Sequence, residues 1–179
     1  MTDEEYEMVL NNYIDSCAGY CTATYLLGIG DRHLENLMID KNGYFFHIDF
    51  GFIFGTEPNS FKGRLATKIR VTNTMIAPMG GMGSANYRKF EDKFVESFKI
   101  LRNKMNYILN LMFLMINSGI QNLQFGNHQK VLLELYQRFM PDLTNQQIEK
   151  VLKKLLQDSI DTSGAETIEF FHNVAQLTK

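Results

Sequence analysis

Two polar runs flanking a hairpin signal constrain this chain most tightly. The first is Gly28-Ile29-Gly30-Asp31-Arg32-His33-Leu34-Glu35-Asn36, and the second is His47-Ile48-Asp49-Phe50-Gly51. Between them, Leu37-Met38-Ile39-Asp40 and Tyr44-Phe45-Phe46-His47-Ile48 read as short apolar strands. Asn42-Gly43 joins them and is the strongest local hairpin signal, because both residues tolerate positive φ. Upstream, Thr2-x-x-Glu5 has the capping-box pattern, and Tyr6, Val9, Leu10, Tyr13, Ile14 and Cys17 recur at helical spacing. A long helix, or two in succession, should run to Leu27 and stop at Gly28 and Gly30. Helix, glycine-bounded loop and hairpin in that order bring Asn36, at the hairpin's entrance, towards Asp49 at its exit.

The rest of the chain is helical in pattern, apart from one long loop over Thr56 to Gly83 that contains Pro58 and Pro78. A loop of that length in a compact domain usually has a function. From Tyr87, the apolar positions Phe94, Phe98 and Leu101 lead into Ile108, Leu111, Met112 and Met115, and Asn117-Ser118-Gly119 ends the segment. Three further helices are expected: His128 to Phe139, one after the box Thr144-x-x-Gln147, and one after Ser163-x-x-Glu166. The last, Ala165 to Thr178, carries Ile168, Phe171, Val174 and Ala175 on one stripe. The sequence therefore predicts a mainly α fold with one small β-hairpin.

Composition excludes more than it selects. At 179 residues and 45% hydrophobic content, the chain suits one domain with a sizeable core. Its 18 basic and 20 acidic side chains are near balance, so nothing marks a nucleic-acid binder. Cys17 and Cys21 are the only cysteines; their spacing completes no metal set and reads as two small buried side chains. With neither a disulfide framework nor a signal peptide in view, a reducing, cytoplasmic setting is expected. The most apolar run, Tyr107 to Ile116, is broken by Asn110 and falls short of the ~20 residues a membrane span requires.

The chemistry lies in the two runs. Phosphoryl transfer needs an acid/base group at the accepting hydroxyl and oxygen ligands for Mg²⁺. In kinases, an aspartate and an asparagine five positions later supply the first group and one ligand; the aspartate of Asp-Phe-Gly, one hairpin on, supplies the other. Asp31, Asn36 and Asp49 have that spacing. Asn36 offers a neutral oxygen and Asp49 a charged one, a pair suited to a hard cation shared with nucleotide phosphates. Arg32 either steers phosphate charge or pairs with a carboxylate in the site wall. His33 follows Asp31, where an exposed imidazole would take a proton from the attacking hydroxyl or stabilise the transferred phosphoryl group. His47 is read as support for Asp49 through hydrogen bonding.

The order Asp-Arg-His-x-x-Asn and then His-Ile-Asp-Phe-Gly resembles the phosphatidylinositol 3-/4-kinase superfamily. Ser16-Cys17-Ala18-Gly19-Tyr20-Cys21, Phe54-Gly55-Thr56-Glu57-Pro58, Met79-Gly80-Gly81 and Leu109-Asn110-Leu111 look most like its class III phosphatidylinositol 3-kinases. The resemblance runs from Tyr13 to Gln176. It implies that residues 1–179 form the C-terminal lobe of a protein-kinase-like catalytic domain. Residues 28–36 would be the catalytic loop, 37–48 the hairpin, 49–77 the activation loop and 84–179 the helical part. By position, Asp31, Arg32 and His33 become catalytic-loop residues, and Asn36 and Asp49 the metal and nucleotide-binding residues. The implied activity is transfer of the γ-phosphate of ATP, with Mg²⁺ or Mn²⁺, to the 3-hydroxyl of phosphatidylinositol. The implied partners are phosphatidylinositol in membranes, a kinase-like scaffold subunit and a Beclin-type regulatory subunit. The implied location is peripheral, on endosomal and autophagic membranes.

The activation loop has its own physical signature. From Pro58 to Phe90 there is no acidic residue, while Lys62, Arg64, Lys68, Arg70, Arg88 and Lys89 give the segment +6 in a chain of net charge −2. Beside a phosphoryl-transfer site this reads as an anion-binding arm, with Lys62, Arg64, Lys68 and Arg70 as headgroup contacts; near an anionic bilayer each cation contributes on the order of 1 kcal/mol. Phosphatidylinositol 4-kinases and the related protein kinases share the two motifs and are the alternative readings, together with a non-catalytic interaction lobe. Against the last, Asp31, Asn36 and Asp49 are all intact. The glycine-rich loop over the phosphates and the strand lysine of a kinase are not encoded here, so the chain by itself is expected to be inactive.

Overall fold

The computed structural model describes residues 2–56, 69–116, 118–120, 123 and 128–161. Its first element is α1, Asp3–Leu27, and the local signals at both ends explain its limits. Thr2 accepts from the Glu5 N–H while the Glu5 carboxylate accepts from the Thr2 N–H, so the capping box forms in full. At the other end Gly28 takes φ 57°, and the N–H groups of Gly28 and Ile29 return to the carbonyls of Tyr25 and Thr24. That left-handed ending is the one glycine adopts without steric cost.

A 3-10 turn, Leu34–Asn36, leads into β1, Leu37–Ile39, which pairs antiparallel with β2, Phe45–His47. The register sets Leu37 against His47, Met38 against Phe46 and Ile39 against Phe45. The connection differs from the two-residue turn that Asn42-Gly43 suggests. The Asp40 N–H donates to the Tyr44 carbonyl, and the Asp40 carboxylate accepts from the N–H groups of Asn42 and Tyr44. Only Gly43, at φ 91°, is left-handed. Asp40 thus organises a longer loop by an Asx-type bond and removes the need for positive φ at Asn42.

The hairpin lies on α1. The Asn12 side chain donates to the Asn42 carbonyl, the Phe45 N–H donates to the Ser16 hydroxyl, and the Phe45 ring meets the Tyr20 ring edge-on at 4.9 Å. A Cβ on Gly43 would clash with the Val9 carbonyl oxygen, so the hairpin tip approaches α1 closely.

Residues 69–83 are more structured than the single long loop expected. Ile69, Arg70 and Val71 are buried, α2 spans Asn73–Ile76 with Thr72 as its cap, and a 3-10 turn follows over Ala77–Met79. Elements this short carry no periodicity for a sequence to display. The expected run from Tyr87 through Met115 is likewise two helices, α3, Ala85–Arg102, and α4, Met105–Leu114, broken at Asn103-Lys104. There Arg102 turns aside to donate to the carbonyls of Phe139, Met140, Pro141 and Leu143.

α5, His128–Arg138, and α6, Asn145–Asp161, complete the described elements. The Thr144 box forms, with the Gln147 N–H donating to the Thr144 hydroxyl and the Thr144 N–H to the Gln147 side chain. The helix expected over Ala165 to Thr178 and the cations Lys62, Arg64 and Lys68 lie outside the described residues.

The core is centred on α1. Ile14, Cys17, Ala18 and Cys21 are fully buried, in one cluster with Phe90, Phe94 and Phe98 of α3 and Ile148, Leu152 and Leu156 of α6. Each such aliphatic or aromatic side chain contributes about 1.5–3 kcal/mol on leaving water. Both cysteines are 0% exposed, and burial pushes the Cys17 thiol up to about 12 and raises Cys21 as well. Both cysteines are therefore core side chains. No helix among the described residues is long and apolar enough to cross a membrane.

Candidate active site

The site is built on the end of the hairpin. The Ile48 N–H donates to the Asn36 carbonyl, which extends the β1–β2 pairing by one step. Asn36 and Asp49 consequently flank the same end of the ladder, as their positions before β1 and after β2 suggest. The Asn36 amide donates to the Asp31 carbonyl at 2.9 Å. An amide has one donor end and one acceptor end, so this bond commits the nitrogen inward and leaves the carbonyl oxygen as the end free to face a cation. Asp49 is exposed, and its carboxylate accepts from the Gly51 N–H at 2.7 Å. A neutral amide oxygen and an exposed carboxylate fit Mg²⁺, which keeps several waters and takes only one or two protein ligands beside substrate phosphates.

Asp31 has φ 53°. This left-handed conformation costs a non-glycine residue roughly 1–2 kcal/mol, though aspartate tolerates it better than most. The His33 Nε2 lies 3.7 Å from the Asp31 carboxylate and its Nδ1 lies 4.0 Å from Glu35, both too long for hydrogen bonds. The sequence reading expects an exposed imidazole; His33 is instead nearly buried, at 8% exposure.

Arg32 is also buried, at 8% exposure. Its charge acts on Tyr20 and Cys21 of α1 and on His47 of β2. Arg70 departs further from expectation. At 2% exposure it is one of the most deeply buried large side chains, and its charge is felt at the Tyr20 hydroxyl. A side chain in that position belongs to the core behind the site and is not a surface cation for a headgroup.

His47 is buried between α1 and the residue that follows Asp49. The Asp31 backbone lies within reach of the ring as a hydrogen-bond partner. The ring meets Phe50 edge-on at 5.3 Å and lies 6.3 Å from the Tyr20 ring. Burial lowers its pKa, outweighing the opposing pull of the Asp31 backbone and the Asp49 charge, so the ring is held neutral. Tyr20, Phe45, His47 and Phe50 thus form a chain of ring contacts from α1 to the residue after Asp49.

Sequence reasoning missed a second set of bonds that joins the two runs. The Gly30 N–H donates to the Phe52 carbonyl, Phe54 N–H to Leu27, and Gly55 N–H to Gly28, all at 2.7–2.8 Å. Arg138, from the end of α5, donates to the Leu26 carbonyl beside them. A lone arginine at the end of an amphipathic helix has no signature in the sequence.

Comparison with known proteins gives this geometry a family. The model of the family described as phosphatidylinositol 3- and 4-kinase matches residues 1–125. Phosphatidylinositol 3-kinase pik3 of Schizosaccharomyces pombe is 38% identical over 172 residues, covering 96% of this chain and 21% of that protein. Phosphatidylinositol 3-kinase VPS34 of Candida glabrata is 38% identical over 168 residues, covering 94% of this chain and 18% of that protein. VPS34 of Saccharomyces cerevisiae is 36% identical over 168 residues, covering 94% and 19%. The chain spans about a fifth of the length of the curated relatives it matches. Helices around a two-stranded hairpin, with Asp31, Asn36 and Asp49 at its end, are what a kinase-like C-terminal lobe requires, and the chain belongs to the phosphatidylinositol 3- and 4-kinase family.

Proposed function

We propose that this chain is the C-terminal lobe of a phosphatidylinositol 3-kinase that transfers the γ-phosphate of ATP to the 3-hydroxyl of phosphatidylinositol. The observation that carries the reading is the gathering of Asp31, Asn36 and Asp49 at one end of the hairpin, with the Asn36 amide oriented by the Asp31 carbonyl. The names of the relatives, all phosphatidylinositol 3-kinases, support the acceptor. In this reading Asn36 and Asp49 hold Mg²⁺ or Mn²⁺, which neutralises charge on the phosphates of ATP when bound. Asp31 takes the proton of the attacking inositol hydroxyl, and His33 stabilises charge on the phosphoryl group in flight. Arg32, buried in the loop, supplies positive charge there. Lys62, Arg64 and Lys68 contribute positive charge for binding the lipid headgroup and the anionic membrane surface. A kinase-like scaffold, a Beclin-type subunit and endosomal or autophagic membranes complete the proposal by family resemblance.

The test is a lipid-kinase assay on the full-length protein with vesicles of phosphatidylinositol or its 4-phosphate, resolving product regiochemistry. Phosphatidylinositol 3-phosphate is the expected product, and product at the 4-position overturns the assignment. Asp49→Ala should lower turnover by a factor on the order of 10³, as loss of a group that stabilises developing charge does. His33→Ala should lower it by a factor of about 10²–10⁴. Unchanged turnover in His33→Ala removes His33 from the mechanism. The 179-residue chain alone should give no measurable product, and lipid phosphorylation by it that Asp49→Ala abolishes would refute that expectation.

A further inference from the structure

We infer that Arg138 is a positioning residue for phosphoryl transfer, clamping the backbone just before Asp31 to the backbone just after Asp49. The inference rests on the proposed roles of those two aspartates, but the clamp itself is seen in the backbone. Leu27, Gly28 and Gly30 precede Asp31, and they exchange three short hydrogen bonds with Phe52, Phe54 and Gly55, which follow Asp49. Each side carries one non-glycine residue in the left-handed region, Asp31 at φ 53° and Phe54 at φ 55°. Phenylalanine in the left-handed region is a true outlier, and such a conformation persists only where its surroundings over-determine it.

Arg138 supplies that constraint. Its guanidinium donates to the Leu26 carbonyl at 3.2 Å, one of the carbonyls that the end of α1 leaves without a helical donor. A cation there also meets the negative end of the helix dipole. The same group lies close to both glycines. A Cβ on Gly28 would fall within the guanidinium, and one on Gly55 would stand 2.9 Å from its Nη2. Glu134, one turn earlier on α5, lies 3.9 Å from Arg138 and helps hold it in place. One side chain from α5 therefore seals the three-bond ladder from outside, and the separation of Asp31 from Asp49 depends on that ladder.

Two measurements test this with Arg138→Ala and Arg138→Lys. In the 179-residue chain, amide hydrogen exchange at Phe54 and Gly55 should speed up at least tenfold in Arg138→Ala relative to Phe94 and Phe98 in the core, and Arg138→Lys should recover part of the protection. In the full-length protein, Arg138→Ala should raise the Mg²⁺ concentration for half-maximal turnover about fivefold and lower kcat, leaving the KM for phosphatidylinositol within twofold. A lower melting temperature with wild-type exchange at Phe54 and Gly55 and a wild-type Mg²⁺ requirement would show a merely structural arginine and overturn the inference. If Arg138→Ala does not fold, Arg138→Met keeps the buried stem without the donors, and normal exchange at the two amides in that variant overturns the inference equally. If wild type phosphorylates no lipid, the proposed function fails, while the exchange result still decides the clamp.

Discussion

Ser159→Ala should destabilise the chain by about 2–4 kcal/mol, far more than loss of a hydroxyl on a helix face usually costs. Ser159 is 3% exposed, on a face of α6 otherwise made of Ile148, Leu152, Leu156 and Ile160. Its hydroxyl accepts from the Val71 N–H at 2.8 Å and shares its one proton between the carbonyls of Ile69, at 3.0 Å, and Val71, at 3.2 Å. Val71 and Ile69 are 0% and 1% exposed, so water cannot replace the lost partner. A buried N–H left unsatisfied costs about 1–3 kcal/mol, a carbonyl somewhat less, and the better helix propensity of alanine returns only about 0.5 kcal/mol. At roughly 2–4 °C per kcal/mol for a chain of this size, the melting temperature should fall by about 4–16 °C. Urea titration followed by circular dichroism measures the change directly, with Ser16→Ala as a half-buried comparison. A loss below about 0.5 kcal/mol at unchanged m-value would refute the claim that Ser159 holds the backbone of residues 69–71.

Two glycines should respond oppositely to alanine. Gly19 lies within α1, and a methyl group added there would meet nothing within 4 Å, so Gly19→Ala should stabilise by about 0.5–1 kcal/mol, whereas Gly43→Ala, at φ 91° and against the Val9 carbonyl, should destabilise by at least about 1 kcal/mol in the same titration. Cys17, with its thiol pushed up to about 12, is thiolate in only about one molecule in 10⁴ at pH 8, and Cys21 is raised in the same direction. Neither should react with a disulfide reagent in native chain at pH 8, and both should react in urea; rapid native reaction would show that α1 opens.

The parts of the site that were legible in the sequence are those whose determinants lie close together in it. Thr2 and Glu5, Gly28, and the strands around Gly43 act over a few residues, so spacing alone locates α1, the loop and the hairpin. The same holds for Asp31, Asn36 and Asp49, which one short ladder brings to one end. What was not legible depends on contacts across the chain. Arg138 is 112 residues from Leu26, and Ser159 is 88 from Val71. Arg70 failed for a related reason: a positive charge in a basic, glycine-containing stretch looks solvated, and only the packing of Ile69 and Val71 into the core draws it inward. The burial of His33, next to the exposed Leu34, likewise has no local signature in the sequence.

The Asn36 amide has two tasks, and Asn36→Asp separates them. Its nitrogen satisfies the carbonyl of strained Asp31, and that same bond turns its oxygen outward. Aspartate has the same shape and would be the stronger cation ligand by charge alone. Ionised, however, it has no hydrogen to give, and one carboxylate oxygen would face the Asp31 carbonyl at a position only 9% exposed. A carboxylate held against a carbonyl in a largely buried position is disfavoured in its charged form, so Asn36→Asp should be less stable than wild type at pH 7. Burial beside a carbonyl raises the new carboxyl above its ordinary value of about 3.9. As the pH falls through that raised value the group gains a proton, recovers a donor and can bond to Asp31 again. The stability deficit should therefore shrink between pH 7 and pH 4, read as the difference in melting temperature between variant and wild type. A deficit that stays constant over that range would mean that the bond to Asp31 is not what holds Asn36 in place.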